Sequence, residues 1–190
     1  LVKREAQWAA DFTARDFKTW YYGYLMIFLA EYITATGDAS VLPGLRRLAL
    51  EAAGGQSAVG SWGHTFALPD GRLQGYGMMN APGLPLTIGM VLARDAGVKD
   101  AEVTRAIELS ARLLRFYTGK GAVPYGDHPA WTETHEDNGK CGMAAVLFNR
   151  LGEAKIADFF TRMAVASHGS ERDCGHTGNY FNLLWSLPAI

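Results

Sequence analysis

Ten residues near the end of the chain, ERDCGHTGNY (171–180), place a carboxylate, a thiol and an imidazole among turn-forming glycines. Asp173, Cys174 and His176 are the groups that could do chemistry there. A second polar run, ETHEDN (133–138), adds Glu133, His135, Glu136 and Asp137. Three routes are open to such residues. In acid–base work, His176, His128 or His135 would shuttle a proton near neutral pH, with Asp173 or the 133–137 acids as partners. A sugar-cleaving site would set two of the acids across a cleft with aromatic platforms such as Trp62, Tyr125 or Trp131. For metal, two thiolates and an imidazole suit zinc with one position open, so Cys141, Cys174 and His176 form the candidate set. No CxxC or HExxH pair reinforces it. As a nucleophile Cys174 would need a base held by a third group. Neither a GxSxG turn nor a phosphate loop is present, since GGQSAVGSWG lacks the terminal Lys-Ser/Thr.

Helices must position these groups. Phe17, Trp20, Tyr21, Tyr24, Leu25, Phe28, Leu29, Tyr32 and Ile33 recur at helical spacing and predict a long helix with that face buried. VLPGLRRLALEAA predicts a second, with Leu42, Leu45, Leu48 and Ala52 inward and Arg46, Arg47 and Glu51 opposite. The stretch from about 83 to 96 is apolar almost all round, whereas DAEVTRAIELSARLLRFYTG is amphipathic. GKCGMAAVLFNRLG is again apolar, AKIADFFTRMAVAS again amphipathic, and a last helix begins near NYFNLLW. The expected hairpins are therefore about 16–53, 83–118 and 139–167, followed by a final helix at about 178–186. Apolar and amphipathic helices alternate, as an inner and an outer layer would require.

Self-comparison supports a repeat. LAEYITATGDASVLPGLRRLAL…VGSWGH, LARDAGVKDAEVTRAIELSARLL…VPYGDH and LFNRLGEAKIADFFTRMAVAS…RDCGH run in parallel, each closing on Gly and His. The short turns then lie at one end, and the loops 53–82, 118–138 and 168–178 converge at the other, where function usually resides. They carry all five histidines: His64, His128, His135, His168 and His176. Trp62, His64, Tyr76, Tyr125, Trp131, Glu136 and Asp137 are the expected ligand-binding residues of this mouth. A lone loop histidine or aromatic more often serves a turn or plugs a scaffold, so the convergence of several carries the expectation.

Bulk properties exclude some classes. A net charge of −1 over 190 residues, with no basic cluster beyond Arg46 and Arg47, is not a nucleic-acid footprint. TWYYGYLMIFLA (19–30) is too short to span a bilayer, which takes about 20 apolar residues. Two cysteines are too few for a disulfide scaffold; they could pair, bind metal with histidine, or be buried as small hydrophobes. The chain starts on Leu and ends on SLPAI, and is expected to be part of a longer protein.

QSAVGSW (56–62) has the form Q-x-x-x-G-x-W and resembles the QW motif of the squalene and oxidosqualene cyclases. That resemblance implies an α/α toroid, a superfamily that also holds the protein prenyltransferases and lanthionine cyclases. It further implies that Gln56 and Trp62 tie the end of one outer helix to the start of the next. The D-x-D-D acid of the squalene cyclases is missing, and CGHTG only loosely resembles the Cys-His-Gly zinc ligands of the lanthionine cyclases, since Gly175 separates Cys174 from His176. HEDNGKCGMAAVLF and DCGHTGNYFNLLW look like a bacterial family of toroid-like domains in large exported proteins. The expected function is a polar, aromatic-rich mouth that binds, and in a hydrolase or lyase would cleave, a glycan or peptide. The competing expectations are a scaffold or interaction domain of an envelope protein and a zinc-dependent toroid enzyme. Three hairpins leave a ring open, so other parts of a parent chain or a second copy are expected against the inner face.

Overall fold

A computed structural model describes residues 1–130, 139–167, 169 and 179–189. The protein is all-α: α1 (Val2–Asp11), α2 (Lys18–Thr36), α3 (Leu42–Gly54), α4 (Asn80–Asp95), α5 (Ala101–Arg115), α6 (Lys140–Arg150), α7 (Ala154–Ala166) and α8 (Asn179–Ala189). A single 3-10 turn, Ala39–Val41, leads into α3. No strand occurs among the described residues, and no described helix is long and apolar enough to cross a membrane.

The helices pack in two rows. In one, α2 lies on α4, α4 on α6 and α6 on α8; in the other, α3 lies on α5, and each helix also packs on its hairpin partner. The alternation in sequence has this cause. Every residue of α4 from Asn80 to Ala93 is buried, whereas α5 buries only the stripe Val103, Ala106, Ile107, Ser110, Ala111 and Leu114. Glycine sets the closest approach. A Cβ on Gly23 of α2 would stand 2.7 Å from the Leu86 nitrogen, and one on Gly89 of α4 would stand 2.8 Å from the Met26 Cβ. Both are far inside normal contact, so these backbones meet only because neither position carries a side chain.

Three expectations need correction. First, α1 was not expected; it buries Ala6, Ala9 and Ala10, residues too small to draw a strong hydrophobic pattern, against α2 and α3. Second, α2 buries Thr19, Tyr22, Gly23, Met26, Leu29, Ala30 and Tyr32, while Tyr21 is 52% exposed and Phe17 and Phe28 are also exposed. An all-apolar helix offers several equivalent stripes, and its small residues decide which one a neighbour can approach. Third, Arg47 and Glu51 do not simply face water but are half-buried in a bonded knot. Glu51 accepts from Lys18 Nζ (3.0 Å), the Tyr22 hydroxyl (2.9 Å) and Arg47 (2.8 Å), and Arg47 also donates to the carbonyls of Ala10 and Phe12. This half-buried knot ties the α1–α2 link to the end of α3.

One recurrent link was invisible in sequence. Lys3 of α1 pairs with Asp38, Arg46 of α3 with Asp100, and Arg115 of α5 with Glu153. Each acid stands at the start of the second element of the next hairpin. Such exposed pairs are screened by solvent and add little to stability; their value is in register. The two ends of the first row also approach each other. Tyr24 of α2 stacks on Phe181 of α8 at 6.3 Å, and the Trp185 indole donates to the Tyr24 hydroxyl at 3.4 Å. Aromatic side chains from the two ends of the row thus meet.

Candidate functional site

The loops after α3 and after α5 are built as one unit. Trp62 is fully buried, and its indole N–H donates to the Ala52 carbonyl at the end of α3 (2.8 Å). Gln56 donates through Nε2 to the Ala106 carbonyl of α5 (2.9 Å). The Met79 amide then donates to the Trp62 carbonyl, and Met79 forms an isolated antiparallel bridge with Gly126. Asn80, buried at the head of α4, gives its backbone N–H to the Tyr125 carbonyl and its side-chain amide to the Pro124 carbonyl (3.0 Å). A Cβ on Gly126 would sit 2.8 Å from the Met78 carbonyl oxygen. Segments 76–79 and 124–128 therefore form a shared wall, held from behind by Trp62. Two of the three expected mouth loops do converge.

On one side of that wall the Trp20 indole donates to His64 Nδ1 at 2.9 Å, and the Thr19 hydroxyl donates to the His64 carbonyl at 2.7 Å. The imidazole stacks on Trp20 and meets Phe17 and Tyr76 edge-on, with centroids 5.6–5.8 Å apart. Because Nδ1 is an acceptor here, the proton of the neutral ring is on Nε2. Phe17 holds this position from a left-handed backbone (φ 51°), an uncommon state for a bulky residue and one found where a ring must be aimed. Tyr76 is 79% exposed, and its ring continues the aromatic surface into solvent. Tyr125 lies nearby: its hydroxyl is pushed above the ordinary tyrosine value, first by burial and then by the Tyr76 hydroxyl. Lys140, at the head of α6 and only 2% exposed, places Nζ 6.0 Å from the Tyr125 ring.

On the other side, a cleft of about 580 Å³ opens between the loop after α3 and the end of α5. Val59, Leu73, Met78, Leu113 and Phe116 make most of its walls, with Asp127 and His128 at the edge.

The structure thus divides the expected site residues. His64, Tyr76 and Tyr125 come together in an aromatic mouth, whereas His128 belongs to the separate cleft. Trp62 is not a ligand platform; with 0% exposure its ring is a structural peg. Trp131, Glu133, His135, Glu136, Asp137, His168, Asp173, Cys174 and His176 lie outside the described residues. Cys141 is a buried thiol whose sulfur accepts from the Val123 amide at 3.4 Å, and among the described residues no three His, Cys, Asp or Glu are grouped to hold a metal. Sequence reasoning missed Trp20 and Lys140 as mouth residues. Trp20 was assigned to a buried face, and nothing in GKCGM marks a lysine that folds inward.

These features define a class: an all-helical domain of paired hairpins, two of whose connecting loops are bonded into one end wall. More particularly, the chain belongs to the family described as Domain of unknown function (DUF6288), whose model matches residues 1–190. No curated protein and no solved structure is similar enough to match.

Proposed function

We propose that this chain is part of an α/α toroid and that its aromatic mouth binds a glycan. The two rows of helices support the toroid, as do the Gln56 and Trp62 bonds, which link α5 and α3 as the QW resemblance implies. One observation carries the binding role: Tyr76, largely exposed, beside a Trp20–His64 pair whose hydrogen bond fixes a donor on Nε2. Sugars stack their C–H faces on such rings and offer acceptors to such donors. A peptide with an aromatic side chain and a carbonyl offers the same groups and is the alternative. The test is calorimetric titration of the intact chain with soluble oligosaccharides and with short unstructured peptides. Saturable oligosaccharide binding, weakened about tenfold by Tyr76→Ala, is expected, since ring stacking contributes about 0.5–1.5 kcal/mol beyond buried area. Binding untouched by Tyr76→Ala would refute the role of the mouth.

A second reading, an interaction domain of a larger assembly, draws on Tyr21 and Phe28 of α2 and Leu183, Leu184 and Leu187 of α8, all exposed. Sedimentation analysis that finds self-association, abolished by Leu187→Asp, would favour it. A zinc role rests on Cys174 and His176 joining Cys141. Stoichiometric zinc in the purified protein, lost in Cys141→Ala and His176→Ala, would establish it.

A further inference from the structure

The cleft behind the mouth has no part in the glycan-binding proposal, and its chemistry differs. Its volume, about 580 Å³, is that of small-molecule sites, and its walls are mainly aliphatic and aromatic. At its edge stands Asp127, an exposed carboxylate that makes no hydrogen bond or ion pair with any described residue. The wall also shows what it accepts. Lys120 rests its Nζ 3.2 Å from the centroid of the Phe116 ring, so a cation already occupies one face of a cleft aromatic. We propose that this cleft is a second binding site, for a small organic amine whose apolar body fills the space between Val59, Leu73, Leu113 and Phe116 and whose ammonium faces Asp127.

The geometry supports each part of such a ligand. The apolar body is withdrawn from water among side chains that are otherwise partly exposed, Val59 and Phe116 above all. Asp127 confers the preference for a cation by charge attraction at the cleft edge, a modest effect because the carboxylate is exposed. Lys120 works against it, as a like charge on the same wall. Removing that charge should therefore tighten amine binding.

The experiment follows backbone amide shifts of Gly71, Gly77 and Asp127 by NMR as three probes of one shape are added to the intact chain: 2-phenylethylamine, 2-phenylethanol and 3-phenylpropanoate. The amine is expected to bind saturably, about fivefold more tightly than the alcohol, with the carboxylate weakest. Asp127→Asn, at an exposed position bonded to none of the described residues, should erase the difference between amine and alcohol without altering the fold. Lys120→Ala should widen it, and Ala58→Trp, on the cleft wall, should weaken all three probes. Equal binding of the three probes, an amine preference that survives Asp127→Asn, or no saturation by any probe would overturn the proposal. Tighter binding of a capped Phe-Lys dipeptide than of the amine would overturn the small-molecule occupant in favour of a peptide segment. Tyr76→Ala should change none of these affinities, which separates this result from the fate of the glycan proposal.

Discussion

The mouth and the cleft are built from the same two segments, yet they are held in different ways. On the mouth side, polar groups are fixed before any ligand arrives: Trp20 bonds His64, Thr19 bonds its carbonyl, and a strained Phe17 buttresses the ring. On the cleft side the walls are apolar, and the carboxylate at the edge is bonded to none of the described residues. A pre-bonded donor loses little freedom on binding and selects by direction, whereas an apolar cleft with one charge selects by size and sign. Residues two apart serve the two purposes, Tyr125 facing one site and Asp127 the other. The chain bends between them, the His128 amide donating to the Gly126 carbonyl at 2.9 Å, and so does not keep the two side chains on one face as an extended strand would.

The largest effect should come from the support that both sites share. Trp62→Ala removes a fully buried ring and its bond to Ala52, and should cost about 3–5 kcal/mol. For a chain of this size that is a fall in melting temperature of roughly 6–20 °C, read by calorimetry. Probe binding on both sides should be lost with it. Asn80→Ala strips the bond to Pro124 while leaving the peg in place, and should cost about 1–3 kcal/mol in denaturant titration. If its effect on ligand affinity is confined to one side, the wall is not a single unit.

Glu51→Gln separates the sites further, because its knot reaches only the α2 side through Lys18 and Tyr22. A loss of about 1 kcal/mol is expected at neutral pH, a modest figure because the pairs are partly exposed. Burial alone would raise the Glu51 pKa; bonds from Lys18, Arg47 and Tyr22 outweigh it and hold the carboxyl below the usual glutamate range. A depressed folded pKa makes the stabilisation complete above that range and removes it as pH falls through the folded value. Stability of the native chain should therefore decline more steeply in acid than that of Glu51→Gln, and parallel curves would sink the argument. The smallest change in stability belongs to Tyr76→Ala. Its ring is mostly in water, so stability should move by less than about 0.5 kcal/mol while mouth binding weakens.

The existence and order of α2 to α8 were legible because periodicity records burial, and the apolar helices α2, α4 and α6 fall in one row while the amphipathic α3 and α5 pack together in the other. Orientation was not legible in α2, where every face is apolar and only Gly23 and Ala30 betray the neighbour. α1 escaped notice because alanines pack tightly without standing out from their polar setting. For the sites, glycine- and histidine-rich loops announced that segments would converge, and QSAVGSW announced the tie that holds them. Which side of the wall each residue serves depended on pairings such as Met79 with Gly126, which join residues 47 positions apart (126 − 79) and leave no local mark in sequence.

The bond from the Trp20 indole to His64 Nδ1 has an optical consequence. It seats the indole N–H on a fixed acceptor, and tryptophan emission responds to such a contact. Emission from Trp20, isolated by comparison with Trp20→Phe, would register any change in that contact directly. The mouth thus carries its own spectroscopic gauge, and a ligand seated on the stacked pair would be seen without any added label.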